Sequence, residues 1–233
     1  ELPHFINGSE QCGRWLDQTF PKKADHVIAP HAALGEYLID CGCAREQVSV
    51  VAPSIEVNAF AEPQYEDALP PTLYTGNLDR YQNLTFLGQV MNAVRHEVSQ
   101  TEWLVATAQT GPVPGAVLLP TPNFASLRAV LARDAVVACP RVSWSGYPIK
   151  LLNAMAAGRA VVACRSAAYP ITHEHDGLVV PDNDVEAFAE AVLTLMRDAS
   201  LRVAYGTNAR ATAGRLFNPA RISEAIECIY EQV

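Results

Sequence analysis

Two short stretches carry residue types and spacings suited to holding a phosphorylated ligand. In the first, Leu73-Tyr74-Thr75-Gly76-Asn77-Leu78, an apolar run enters a Gly turn and, after Asp79-Arg80-Tyr81-Gln82-Asn83, meets a helical pattern from Leu84. A helix N-terminus carries unsatisfied N–H groups and about half a positive charge, so an anion is at home there. In the second, Arg141 to Ala163, a loop reaches Gly146, a helix begins near Pro148, and Gly158 ends it before the next apolar run. Ser145 and Asn153 are separated by a little over two helical turns, so Asn153 comes to lie beneath a ligand gripped by Ser145 and the loop amides. The plainer alternatives are a Gly needed only for the turn, a Ser acting as a cap, and an Asn on an exposed helix face.

The elements that must position these loops follow from hydrophobic periodicity. Continuous runs rich in Val, Ala and Leu mark strands at His26–Pro30, Gln47–Ala52, Thr72–Gly76, Trp103–Thr107, Ala116–Leu119, Ala135–Cys139 and Ala160–Cys164. Stretches of 3.6-residue period lie at His31–Cys41, Leu84–His96, Phe124–Ala132, Pro148–Ala157 and Val185–Arg197. Alternating helices and continuously apolar strands imply an α/β fold, with a parallel sheet covered on both faces. Between Pro53 and Pro71 the periodicity lapses into Pro, Glu, Asp and Gln, which reads as an interdomain linker. The connection Ala108–Gly115 is too short for the usual crossover helix, so either a helix or a piece of chain is expected to be missing there. After Asn183 only helices are expected, one of them capped at Asn218 with Pro219 at its first position.

Composition excludes several classes. The 233 residues carry a net charge of -8 and are 49% hydrophobic, with no uninterrupted apolar run of membrane-helix length. Such a field repels polyanions, so nucleic acid is not an expected partner. The cysteines match neither a zinc nor a thioredoxin spacing and read as buried reduced thiols. His173-Glu174-His175 lacks the helical i, i+4 spacing of a hydrolytic zinc site, and no metal is expected. Trp144 is a candidate to stack on a base or sugar, with core packing as its alternative. No Ser-His-Asp order or nucleophile elbow is present, and no catalytic residue is assigned.

Taken in order, Gly146-Tyr147-Pro148 through Val161-Val162-Ala163, then Asp176-Gly177-Leu178-Val179-Val180-Pro181 and the helix start at Asp184–Ala191, resemble the C-terminal domain of glycosyltransferase family 4. Ala24–Ala29 and Val48–Ile55 are similar to the closing strands of that family's N-terminal domain. The resemblance implies a GT-B architecture: a Rossmann-like doubly wound parallel sheet at 63–233 that binds the donor, and an incomplete second Rossmann-like domain at 1–62, the remnant of the acceptor side with the hinge. It also implies retention at the anomeric carbon, a nucleotide-diphosphate sugar as donor with no other cofactor, and an acceptor that is a glycan or lipid-linked. Surface polysaccharide or glycolipid assembly in the cytoplasm is the implied setting. Any peripheral association with the inner face of the membrane would fall to the N-terminal part that this sequence lacks.

By the same resemblance the donor site comprises Gly76, Asn77, Gln82, Ser145, Gly146, Tyr147, Pro148, Ile149, Lys150 and Asn153. The family's two donor-site Glu residues fall on Ser145 and Asn153, its Arg on Asn77 and its Lys on Gln82. Losing two cations matters, because each one aimed at a leaving diphosphate contributes several kcal/mol in a dry site. Arg80, Arg141 and Lys150 lie in the same loops and are candidates to restore that charge, against the alternative of solvated surface cations. The rival reading is a catalytically silent relative acting as an interaction module. A third, an epimerase of the same architecture, would need acid–base groups that the sequence does not offer.

Overall fold

Helix and strand alternate along the chain in the computed structural model, which describes residues 10–66, 68–142 and 146–232. The described residues group into two units. One lies within Glu1–Ser54, Trp144–Tyr147 and Phe217–Val233, and the other within Ile55–Ser143 and Pro148–Leu216.

In the first unit, α1 (Glu10–Thr19), β1 (Val27–Ala29), α2 (Ala32–Asp40) and β2 (Val48–Val50) precede the final helix of the chain. The two strands pair in parallel with Val27 opposite Val48, and His26 Nε2 lies 2.9 Å from Ser49 Oγ at the strand starts. Ala29, Leu38 and Cys43 form a small core under Val27, Leu34 and Val48. Ile28, which alternates to the face opposite that core, is exposed. The final helix, α8 (Pro219–Tyr230), starts as expected. The Asn218 side chain accepts from the Ala220 and Arg221 amides, and Pro219, which has no N–H to satisfy, follows it.

The second unit holds β3 (Thr72–Thr75), α3 (Leu84–Glu97), β4 (Trp103–Thr107), β5 (Val117–Pro120), α4 (Phe124–Leu131), β6 (Val136–Cys139), α5 (Ile149–Ala156), β7 (Val161–Cys164), β8 (Leu178–Val180), α6 (Val185–Arg197) and α7 (Ala199–Leu216). The strands form one sheet in the order β5-β4-β3-β6-β7-β8, every pairing parallel. From β3 the chain winds outward to β5, returns to the middle and winds the other way to β8, which is the doubly wound pattern. Right-handed crossovers then put α3 and α5 on opposite faces. On one face α3 packs on α6 through an edge-to-face contact of Phe86 with Phe188, their centroids 5.6 Å apart, and on the other α5 packs on α7. The central strands β3, β4, β6 and β7 are buried along their whole length.

Three local expectations change. β5 is an edge strand whose Val117 and Leu118 face solvent, so its apolar run does not signal burial. β8 is a strand that the sequence reading did not list, because three residues carry too little periodicity. Cys43, Cys139 and Cys164 are buried thiols, whereas Cys12 and Cys228 are exposed. The connection from β4 to β5 indeed contains no helix. An extended chain covers roughly 3.3 Å per residue, so residues 108–116 suffice to run back along the five-residue β4. A groove of about 490 Å³ remains beside α3, floored by Trp103 and walled by Pro112, Val113 and Pro114.

The described residues of the Pro53–Pro71 segment lack helix and strand apart from one 3-10 turn, yet from Ile55 onward they form a strap bound to the second unit. Ile55 and Phe60 are buried, Tyr65 Oη donates to Gly158 O at 2.7 Å, and Arg159 Nη1 donates to Gln64 O at 3.1 Å. Arg202 Nη2 donates to Glu66 O at 3.2 Å and pairs with Asp134 at 3.1 Å, while Arg159 lies 3.6 Å from the other Asp134 oxygen. This buried pair of guanidinium groups on one carboxylate sits where β6 and β7 begin, away from the loops of interest.

Candidate functional site

In an open doubly wound sheet the crevice opens at the C-terminal ends of the strands where the winding direction reverses. Here that point lies between β3 and β6, whose C-terminal ends lead into Gly76 and Pro140. The loop after β3 is drawn toward β6 by Asn83, the left-handed residue (φ 61°) that starts α3. Its Nδ2 donates to Pro140 O at 3.1 Å and to Asn183 Oδ1 at 3.0 Å. Asparagine is among the few residues with a Cβ that adopt this conformation readily, and here its side chain is held by those two remote acceptors.

Gly76, Asn77, Gln82 and Lys150, read from two separate stretches, converge at this point. Gly76 has φ 135°, and a Cβ built on it would lie 2.9 Å from Lys150 Nζ, so only glycine leaves room for the ammonium. Lys150 Nζ donates to Tyr74 Oη at 2.9 Å and to Gln82 Oε1, and lies 4.5 Å from the centre of the Tyr74 ring. The Tyr74 hydroxyl passes its own hydrogen to Asn77 O at 2.6 Å. Asn77 Nδ2 donates to Asp79 and, at 2.9 Å, to Tyr81 Oη. Gln82 is buried, as is Arg141, whose guanidinium lies over the Tyr81 ring at 5.4 Å. Of the three cations read as candidates, Lys150 and Arg141 are therefore drawn inward, and Arg80 is exposed.

The electrostatics follow from enclosure. Burial lowers the Lys150 ammonium from its ordinary 10.5 to about 8; an ionised Cys139 would favour its charge, Arg141 opposes it, and Asp79 favours it. Burial likewise raises the Tyr74 hydroxyl and the Cys139 thiol, so both stay protonated at neutral pH. No carboxylate among the described residues forms an ion pair with Lys150.

Pro148 precedes the first turn of α5 with no side-chain cap on the helix, Ile149 is exposed beside it, and Asn153 lies on the buried face rather than on a solvated one. Gly146 and Tyr147 group with the first unit, where the Tyr147 ring meets His31 at 6.3 Å and Phe217 at 6.0 Å between centroids. Ser145 and Trp144 lie outside the described residues.

The sequence reading did not single out a cavity of about 310 Å³ at the C-terminal ends of β3, β4 and β5. Gly76, Thr107, Gln109, Thr121 and the half-exposed Phe124 line it, an apolar ring beside small polar groups. Its members are scattered over the sequence, so no local pattern could announce them. His173 Nδ1 accepts from Val179 N at 3.0 Å, a structural bond, and no group of three metal-ligating side chains occurs among the described residues. No described helix is long and apolar enough to cross a membrane.

Over 81 residues the chain is 42% identical to an exopolysaccharide phosphotransferase of Streptomyces coelicolor, which is 34% of this chain and 9% of that protein. Over 109 residues it is 34% identical to the phosphatidyl-myo-inositol mannosyltransferase of Mycobacterium leprae, 46% of this chain and 29% of that one. The matches thus span less than a third of either relative. Among solved structures, Anabaena HepE in complex with UDP and glucose aligns with a TM-score of 0.82 at 16% identity over 99% of this chain and 69% of its own. Sucrose-phosphate synthase of Thermosynechococcus elongatus aligns with 0.80 at 19% identity over 99% and 65%. At such identities the likeness establishes the fold, which is that of GT-B glycosyltransferases. The family model for "Glycosyl transferases group 1" matches residues 70–198, more than half of the 233 residues, and the chain therefore belongs to the group 1 glycosyltransferase family.

Proposed function

We propose that this chain is the donor-binding portion of a retaining glycosyltransferase that takes a nucleotide-diphosphate sugar, without a metal, and serves surface polysaccharide or glycolipid assembly in the cytoplasm. The observation that carries the reading is the convergence of Gly76, Asn77, Gln82 and Lys150 at the β3/β6 switch point of the sheet. A diphosphate suits that point, since it meets a glycine turn, the uncapped start of α5 and a cation together. The neighbouring cavity at Thr107, Thr121 and Phe124, about 310 Å³ with an aromatic ring beside small polar groups, offers a nucleoside a stacking surface and hydrogen-bond partners. HepE was solved with UDP, which supports the donor class by analogy. The acceptor, a glycan or lipid-linked glycan, and any contact with the inner face of a membrane belong to residues beyond this site.

The test is calorimetry of the full-length protein with UDP-glucose, GDP-mannose and an ADP-sugar, joined to a transfer assay. Binding of one of them, lost in Asn153→Ala, supports the reading; binding of none overturns it. The replacement of the expected charged donor residues by Asn77, Gln82, Ser145 and Asn153 favours a second reading, a silent relative that binds without transfer. Donor binding with no turnover by the full-length protein would select it.

A further inference from the structure

We infer that Lys150 is an ammonium kept without a counter-ion so that the diphosphate of the donor becomes its partner, with Gln82 as the positioning residue that aims it past Gly76. The inference rests on the donor-site reading above and deepens it. An ammonium drawn out of water is normally matched by a carboxylate, because isolated burial is costly. Around Lys150 the described partners are one phenol oxygen, one amide oxygen and the Tyr74 ring, all uncharged, and no carboxylate pairs with it. Its Nζ lies against the one backbone position in the β3 loop where no Cβ intervenes. The group is therefore directed to the sheet's switch point rather than to solvent. Nothing in the fold's packing needs a charge there, since Leu151, Leu152, Ala154 and Met155 already bury the inward face of α5.

A cation supplied from α5 has a consequence that a surface cation would lack. The groups facing it are Tyr74 on β3, Asp79 and Tyr81 in the following loop, and Cys139 and Arg141 at the end of β6. With burial outweighing the nearby favourable charges, Lys150 is largely neutral above pH 8 in the free protein. An arriving diphosphate restores the proton: one H⁺ from the buffer joins the Nζ lone pair, and an ammonium–diphosphate ion pair forms with no covalent bond made or broken. Donor binding is thus coupled to proton uptake in alkaline solution and not at neutral pH.

The probes are UDP-glucose and GDP-mannose, whose diphosphates are esterified at both ends and do not titrate in this range. Calorimetry of the full-length protein at pH 7 and pH 9, in buffers of different ionisation enthalpy, reads the proton count directly. Expected are uptake of more than about half a proton per ligand at pH 9, close to none at pH 7, and affinity falling toward about tenfold per pH unit above 8. Lys150→Gln should weaken binding about 10- to 100-fold, the range for a lost hydrogen bond to a charged group, and abolish the uptake. The exchanged double variant Gln82→Lys with Lys150→Gln, which returns an ammonium to the same pocket, should recover binding. Lys150→Gln should melt no lower than the parent, since it removes a buried charge. If the parent binds a nucleotide sugar but Lys150→Gln binds within about threefold and keeps the proton uptake, the inference is overturned while the donor reading stands. If neither probe binds the parent, the donor reading fails and the inference with it.

Discussion

Replacing Asp134 by Asn tests whether the strap is held by buried charge. The Asp134 side chain is 4% exposed and faces Arg159 at 0% and Arg202 at 2%, with N···O distances of 3.6 and 3.1 Å. It also accepts from the Glu66 amide at 3.1 Å. The substitution changes few atoms, yet it leaves two enclosed guanidinium groups with no anion and turns an NH₂ toward one of them. Breaking a buried pair by removing one partner costs about 3–5 kcal/mol. For a unit of this size each kcal/mol lowers the midpoint by about 2–4 °C, so a fall of roughly 6–20 °C is expected. Thermal melting at pH 7 reads the total, and limited proteolysis reads the place: cleavage should appear at residues 61–66, where those guanidinium groups hold the Gln64 and Glu66 carbonyls. Substituting Asp134, Arg159 and Arg202 together with Leu, Met and Met should recover most of the loss, because a wholly apolar replacement removes the charge imbalance. A midpoint for Asp134→Asn within about 2 °C of the parent, less than 1 kcal/mol, would refute the reasoning.

Gly76→Ala forces a side chain onto φ 135° and places its Cβ 2.9 Å from Lys150 Nζ. A stability loss of about 1–3 kcal/mol is expected in a denaturant titration, together with weaker binding of UDP-glucose. Lys150→Met should stabilise the protein at pH 7 by at most about 3 kcal/mol, the linkage value of a lysine lowered from 10.5 to about 8. The sign follows from proton counting: between pH 8 and 10.5 the unfolded chain binds more protons at this site than the folded one, so the parent gains stability as pH rises. The difference between parent and variant in urea melts should therefore shrink toward pH 10.5, and a constant difference would contradict the assignment. Asn218→Ala removes the acceptor for two amides at the start of α8 and should cost about 1 kcal/mol, seen as a small drop in midpoint.

Periodicity made the α/β class legible, since each continuous apolar run from Thr72 to Cys164 became a strand and the 3.6-residue patterns between them became helices. The ends of α5 were legible for a local reason: Pro148 cannot serve inside a helix, and Gly158 accepts the left-handed conformation that ends one. Edge exposure of β5 was not legible, because burial depends on a neighbouring strand that sequence order does not reveal. Nor was the strap's attachment, which rests on Arg159 and Arg202 reaching backbone carbonyls remote in sequence.

For the candidate site the division is sharper. Residue types and spacing alone determined that two glycine-punctuated loops, one after Thr75 and one around Gly146, suit an anion; the family resemblance added that Asn77 and Gln82 stand where two cations are expected. Only the tertiary structure decided which of Arg80, Arg141 and Lys150 turns inward. Parallel strand order brings the ends of β3 and β6 side by side, and α5, launched from β6, then carries Lys150 across to Gly76 and Gln82. Local sequence sets backbone preference and burial, but charge acts through distance. The distance between residues 76 and 150 exists only once the sheet is assembled.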